Sequence, residues 1–117
     1  MRPHSPEVPL LELPLTSLDE LLPIRPGQRT LLPILDLPGE AKVVAASLDA
    51  GVEVPSHMVA SESTLLLLKG AIEFRIDTTT HELRPGQFLK VPGNTTNSVR
   101  ALEPSRFIIL QAHPVRE

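Results

Sequence analysis

Two stretches organise the chain: Gly51 to Gly70, GVEVPSHMVASESTLLLLKG, and Gly86 to Asn97, GQFLKVPGNTTN. Each opens with a glycine at a turn and runs five residues to a fixed mark, His57 in the first and Pro92 in the second. His57 and Val59 are two apart, and side chains two apart on a strand point to the same face. Thr64 to Leu68 is continuously apolar, the pattern of a strand covered on both faces. The second stretch carries Phe88 to Val91; Lys90 belongs in water, so Leu89 and Val91 should face inward.

Working outward, the signals remain strand and turn. Across Lys69-Gly70, residues Ala71 to Ile76 alternate, with Ile72, Phe74 and Ile76 inward and Glu73 and Arg75 outward. Asp77-Thr78-Thr79-Thr80 reads as a turn into a strand at His81 to Leu83. Arg84-Pro85-Gly86 turns again, and Arg106 to Ala112 closes the set. Upstream, Thr30 to Leu35 is a strand that Pro33 confines to an edge or a bulge. Leu37-Pro38-Gly39-Glu40 is a turn, Ala41 to Leu48 the next strand, and Asp49-Ala50-Gly51 its end. Short strands at short intervals, punctuated by glycine and proline, argue an all-β sandwich or closed barrel.

The N-terminus differs. Pro3, Pro6, Pro9 and Pro14 exclude a helix over residues 1 to 15 and leave an extended arm, too apolar at Val8, Leu10, Leu11, Leu13 and Leu15 for a solvated tail. Ser17 with Glu20 has capping-box spacing, so a short helix is expected over Thr16 to Leu22, stopped at Pro23. The domain reading is an arm and short helix over 1–29 and one barrel domain over 30–117. At 117 residues the chain can bury a core without staples. It has no cysteine, which excludes disulfides, thiolate metal sites and a cysteine nucleophile. With 11 basic and 14 acidic residues the net charge is −3, so no basic patch suggests nucleic acid. No apolar run approaches the roughly 18 residues of a membrane helix, and MRPHSPEVPL does not read as a signal peptide. A cytoplasmic protein is the default expectation.

The doubled pattern resembles the cupin family, whose motifs read G-x5-H-x-H-x3,4-E-x6-G and G-x5-P-x-G-x2-H-x3-N. The resemblance covers the second half of the chain directly. It implies a double-stranded β-helix, a jelly-roll barrel of the RmlC-like kind. It also implies a metal held by histidines and a glutamate, and there this sequence departs. His57 matches the first histidine, but Val59 stands for the second and Ser63 for the glutamate, with Glu62 one residue early. Asn97 replaces the last histidine, P-x-G becomes Pro92-Gly93-Asn94, and Ala101 stands at the final asparagine. One ligand in four survives, so no cofactor is expected. A divalent metal would need Glu62 or water to complete a site around His57.

Parity then gives an expected ligand pocket of His57, Val59, Ser63, Phe74, Leu89, Val91 and Asn97: apolar, with few convergent polar groups. Without Trp or Tyr, an aromatic platform for sugars or nucleobases rests on Phe74, Phe88 and Phe107 alone. Three readings follow. The first is a small-molecule-binding cupin without a tightly bound metal. The second is a metal-dependent cupin enzyme, of dioxygenase or isomerase type, using His57 with Glu62. The third is a structural or interaction protein whose pocket is ordinary core. Catalytic residues are not identifiable from the sequence. His81 reads as a strand residue with a backbone partner, and His4 and His113 have no neighbour at ligand spacing. A homodimer is expected, because jelly-roll edges need cover that the N-terminal arm could supply; no nucleic acid or membrane partner is.

Overall fold

The structure, a computed structural model, describes residues 15–112. Nine antiparallel strands form two sheets, preceded by one helical turn, α1 (Leu18–Leu21). The strands are β1 (Arg29–Leu37), β2 (Ala41–Leu48), β3 (Glu53–Val59), β4 (Ser63–Lys69), β5 (Ile72–Ile76), β6 (Thr79–Leu83), β7 (Phe88–Val91), β8 (Thr95–Ala101) and β9 (Ser105–Ala112). A five-stranded sheet runs β1-β2-β9-β4-β7 and a four-stranded one β3-β8-β5-β6. Leu65, Leu67 and Phe107 of the first sheet pack with Ile72, Phe74 and Val99 of the second to make the core between them. This is the double-stranded β-helix that the sequence implies.

Pro33 explains the irregularity of β1. Proline cannot donate to a ladder, and β1 is an edge strand whose register against β2 slips between Pro33 and Leu35. A second bulge lies in β3, where Val54 pairs with Val99 but His57 pairs with Asn97, so one extra residue sits around Pro55. The bulge changes the phase of β3 and keeps both Val54 and His57 on the inner face.

Two connections need special backbone. At Pro92-Gly93-Asn94, a Cβ on residue 93 would lie 2.5 Å from the Ala60 carbonyl oxygen. Asn94 takes the left-handed conformation, φ 60°, and its N–H donates to Val59 O at 2.8 Å. The shifted motif therefore has a physical reason. Gly93 allows close backbone approach, while asparagine, the best non-glycine residue in that region, fills the left-handed position where the family's glycine would stand. Gly70 (φ 90°) is similarly constrained: a Cβ there would meet Ser105 Oγ and the Pro104 carbonyl.

Several expectations need adjustment. The helix is shorter than Thr16 to Leu22, because Leu22 leaves helical geometry (φ −130°, ψ 67°). Ser17 Oγ accepts from Asp19 N–H, one residue short of the capping-box partner. The β5–β6 turn is only Asp77-Thr78: Asp77 adopts φ 52°, so Thr79 and Thr80 already pair in β6. Strand β8 was not among the expected strands, since its inward positions include Thr95 and Asn97 and so lack an apolar alternation. The expected arm over residues 1 to 15 lies outside the described residues apart from Leu15, as do His4 and His113. Among the described residues no helix is long and apolar enough to cross a membrane.

Candidate functional site

One cavity of about 180 Å³ opens between the sheets. Strand β3 supplies Val54, His57 and Val59, and β4 supplies Ser63 and Leu65. Phe74 comes from β5, Asn97 and Val99 from β8, and Phe107, Ile109 and Gln111 from β9. His57 and Asn97 are direct cross-strand partners, and Val59 faces Thr95 one step further along. Residues directly opposed in an antiparallel pair stand side by side on one face, with Cβ atoms roughly 5 Å apart. The first and last of the four motif ligand positions thus meet in the fold.

The polar groups are few. His57 is solvent-exposed at the cavity rim, and its Nδ1 lies 3.1 Å from Pro55 O. A carbonyl only accepts, so Nδ1 carries the proton and donates, leaving Nε2 as the acceptor of the neutral ring. Asn97 is buried, with its side-chain amide 3.0 Å from Thr95 Oγ1; that hydroxyl lies 2.9 Å from Pro92 O. Thr95 has one proton for two acceptors, so turning the amide lets its NH2 donate to Thr95, which then donates to Pro92. In either rotamer Thr95 anchors one end of the amide and leaves the other for the cavity. Among the described residues, the side chains of Ser63 and Gln111 make no hydrogen bond, yet neither is a sealed, orphaned group. Among the described residues, His57 is the only ionisable side chain on the cavity wall, and none there is a carboxylate.

Five of the seven residues expected at the pocket line this cavity: His57, Val59, Ser63, Phe74 and Asn97. Leu89 and Val91 do not. They share the inward face, opposite Leu65 and Ser63, but β7 is an edge strand and they pack into the core beside the cavity. Gln111 was missed, although it continues the inward alternation of Phe107 and Ile109. Glu62 is exposed and borders a different hollow on the outer side of the five-stranded sheet, so it does not join His57. His81 stands opposite Phe74 on edge strand β6; among the described residues its ring has no hydrogen-bond partner, contrary to the backbone contact expected.

The donor set does not fit a tightly held divalent ion. Zinc and iron sites assemble three or four ligands from imidazole, carboxylate and thiolate. Here one imidazole faces a hydroxyl, an amide and Val59. Among the described residues no three His, Asp or Glu side chains converge.

No protein-family model matches the chain, and no curated protein does. Solved structures do. A cupin superfamily protein from Desulfitobacterium hafniense is similar at a TM-score of 0.76 and 16% identity, over 83% of this chain and 88% of its own. The chain has the cupin fold. A conserved protein of unknown function from Streptococcus pyogenes matches this small cupin domain at a TM-score of 0.79 and 20% identity, over 87% and 89%. KdgF from Halomonas sp. matches at 0.67 and 26% identity, over 79% of this chain and 84% of that one. At these identities the cupin likeness concerns the fold; the site must be judged on its own residues.

Proposed function

We propose that this cupin-fold chain binds a small, mainly apolar molecule in the barrel, oriented by one oxygen-bearing polar group and without a tightly bound metal. One observation carries the reading. In a mainly apolar cavity, Ser63, Gln111 and one end of the Asn97 amide present hydrogen-bonding atoms that no group among the described residues uses. Such polar atoms orient ligands in small-molecule sites. Size narrows the class: an apolar cavity of ~150 Å³ accepts benzene, so about 180 Å³ suits a monocycle or a short branched chain. With no carboxylate on the wall and His57 at the rim, a ligand hydroxyl or carboxylate meets no like charge.

The test is a thermal-shift panel of benzoate, phenol and cyclohexanecarboxylate, paired with metal analysis of chain purified without chelator. At least one compound should raise the melting temperature in a saturable way. Val59→Phe, which fills the cavity, should remove that shift. A panel without effect on the wild type would favour an ordinary core. Near-stoichiometric metal lost on His57→Ala would favour the metal-dependent reading.

A further inference from the structure

Two backbone carbonyls outside the strand ladders set the hydrogen-bond polarity of the cavity. Pro55 lies in the β3 bulge, where pairing with β8 skips from Val54 to His57. Its carbonyl takes the His57 Nδ1 proton at 3.1 Å and leaves Nε2 of the neutral ring with a lone pair. Pro92 lies just past the end of β7. Thr95 Oγ1 sits 2.9 Å from the Pro92 carbonyl oxygen and 3.0 Å from the Asn97 amide. A carbonyl cannot donate, so the Pro92 contact is a hydrogen bond only when the Thr95 proton points to it. With that proton given to Asn97 Oδ1 instead, two oxygens would face each other at 2.9 Å with no hydrogen between them. Thr95 therefore accepts from an Asn97 N–H. That leaves Asn97 Oδ1 turned to the cavity, in a side chain only 5% exposed. Both polar groups that the protein holds in place present lone pairs. Ser63, Ser98 and Gln111 also line the cavity, but no hydrogen bond among the described residues fixes their side chains, so they turn to either role.

We propose that the cavity selects a ligand whose polar group donates a hydrogen, a neutral hydroxyl on a small ring, over ligands that only accept. This rests on the small-molecule reading above and narrows it. The ligand O–H gives its proton to Asn97 Oδ1, and its oxygen accepts from Ser63 or Gln111. An ether or an ester has no proton to give. An ionised carboxylate has none either, and would set its charge against the Asn97 lone pairs. An ammonium has protons, but among the described residues the wall carries no carboxylate to offset its charge, and burying an unpaired charge is costly. Thr95 does not line the cavity. It is a positioning residue, which sets the sense of the Asn97 amide through the Pro92 carbonyl.

Calorimetry on the full chain with phenol, its methyl ether anisole, and benzoate tests this. In the wild type phenol should bind roughly tenfold or more tighter than either, because the other two leave a buried acceptor unpaired. Thr95→Val keeps the side-chain shape but frees the amide to turn, so the phenol-to-anisole ratio should fall toward one. A merely structural Thr95 would weaken both probes alike and leave the ratio intact. Asn97→Leu removes the amide and should also collapse the ratio, by weakening phenol and sparing anisole, so failure of one variant to fold leaves the other decisive. Anisole or benzoate binding as tightly as phenol to the wild type would overturn the hydroxyl preference and leave the small-molecule reading standing. No binding of any probe would overturn both. A phenol preference unchanged in the variants would overturn the roles given to Thr95 and Asn97.

Discussion

At the residue scale, the four side chains at the motif's ligand positions come together at one cavity. His57, Val59, Ser63 and Asn97 reach one cavity wall because motif spacing fixes their strand positions and direct pairing of β3 with β8 brings two of them together. That much was legible in the sequence. Leu89 and Val91 were not, because parity tells which face a residue takes but not where in the sheet its strand lies. If the missing ligands are all that separates this site from metal binding, Val59→His, Ser63→Glu and Asn97→His together should give saturable zinc or nickel binding by calorimetry. Each single variant should stay near the wild type, because two strong ligands leave most of the ion to water. The Asn97 change also removes the Thr95 contact, so lower metal-free stability is expected. Loop 92–94 allows a sharper test. Gly93→Ala should destabilise the fold by about 1–3 kcal/mol in urea unfolding, because its Cβ would press on the Ala60 backbone. Asn94→Gly should be nearly neutral, and Asn94→Ala should cost ~1 kcal/mol through its left-handed φ.

At the scale of elements, proline, glycine and alternation carried most of the reading. Strands β2 and β7 have the expected limits, and Pro33 marks both an edge and a bulge. Strand β8 escaped because an inward Thr95 and Asn97 look like loop residues until the cavity they serve is known. The N-terminal strap was only partly legible: a cap residue was visible at Ser17, but nothing in sequence showed that Arg106, 84 residues from Leu22, would hold it. Leu22 is fully buried, so Leu22→Ala should lower stability by ~2–3 kcal/mol through lost burial and a residual cavity. Ser105 links the start of β9 to Ala71: its buried hydroxyl accepts from Ala71 N–H at 3.1 Å and lies 2.7 Å from Glu103 O. Ser105→Ala should cost about 1–3 kcal/mol by leaving those groups unpaired. Both effects are measurable by chemical denaturation.

At the scale of the molecule, the interior and the exterior of the barrel depart from an ordinary sandwich in different ways. Its interior departs from a packed core by a cavity with unused polar atoms. Its exterior departs from a solvated sheet by an apolar row, Leu32–Ala45–Ile108–Leu66–Phe88, across five strands. The fold class was legible from repeated short strands and the doubled motif. The size of the cavity was not, because it depends on how closely the two sheets approach, which no residue pattern states. The claim that this interior receives a small molecule is tested most directly by titrating the uniformly 15N-labelled chain with benzoate and phenol and following amide resonances. The account expects saturable shifts centred on Val59, Ser63, Phe74 and Val99, lost in Val59→Phe. No saturable shift with either probe, or shifts confined to the outer face of the five-stranded sheet, would contradict it.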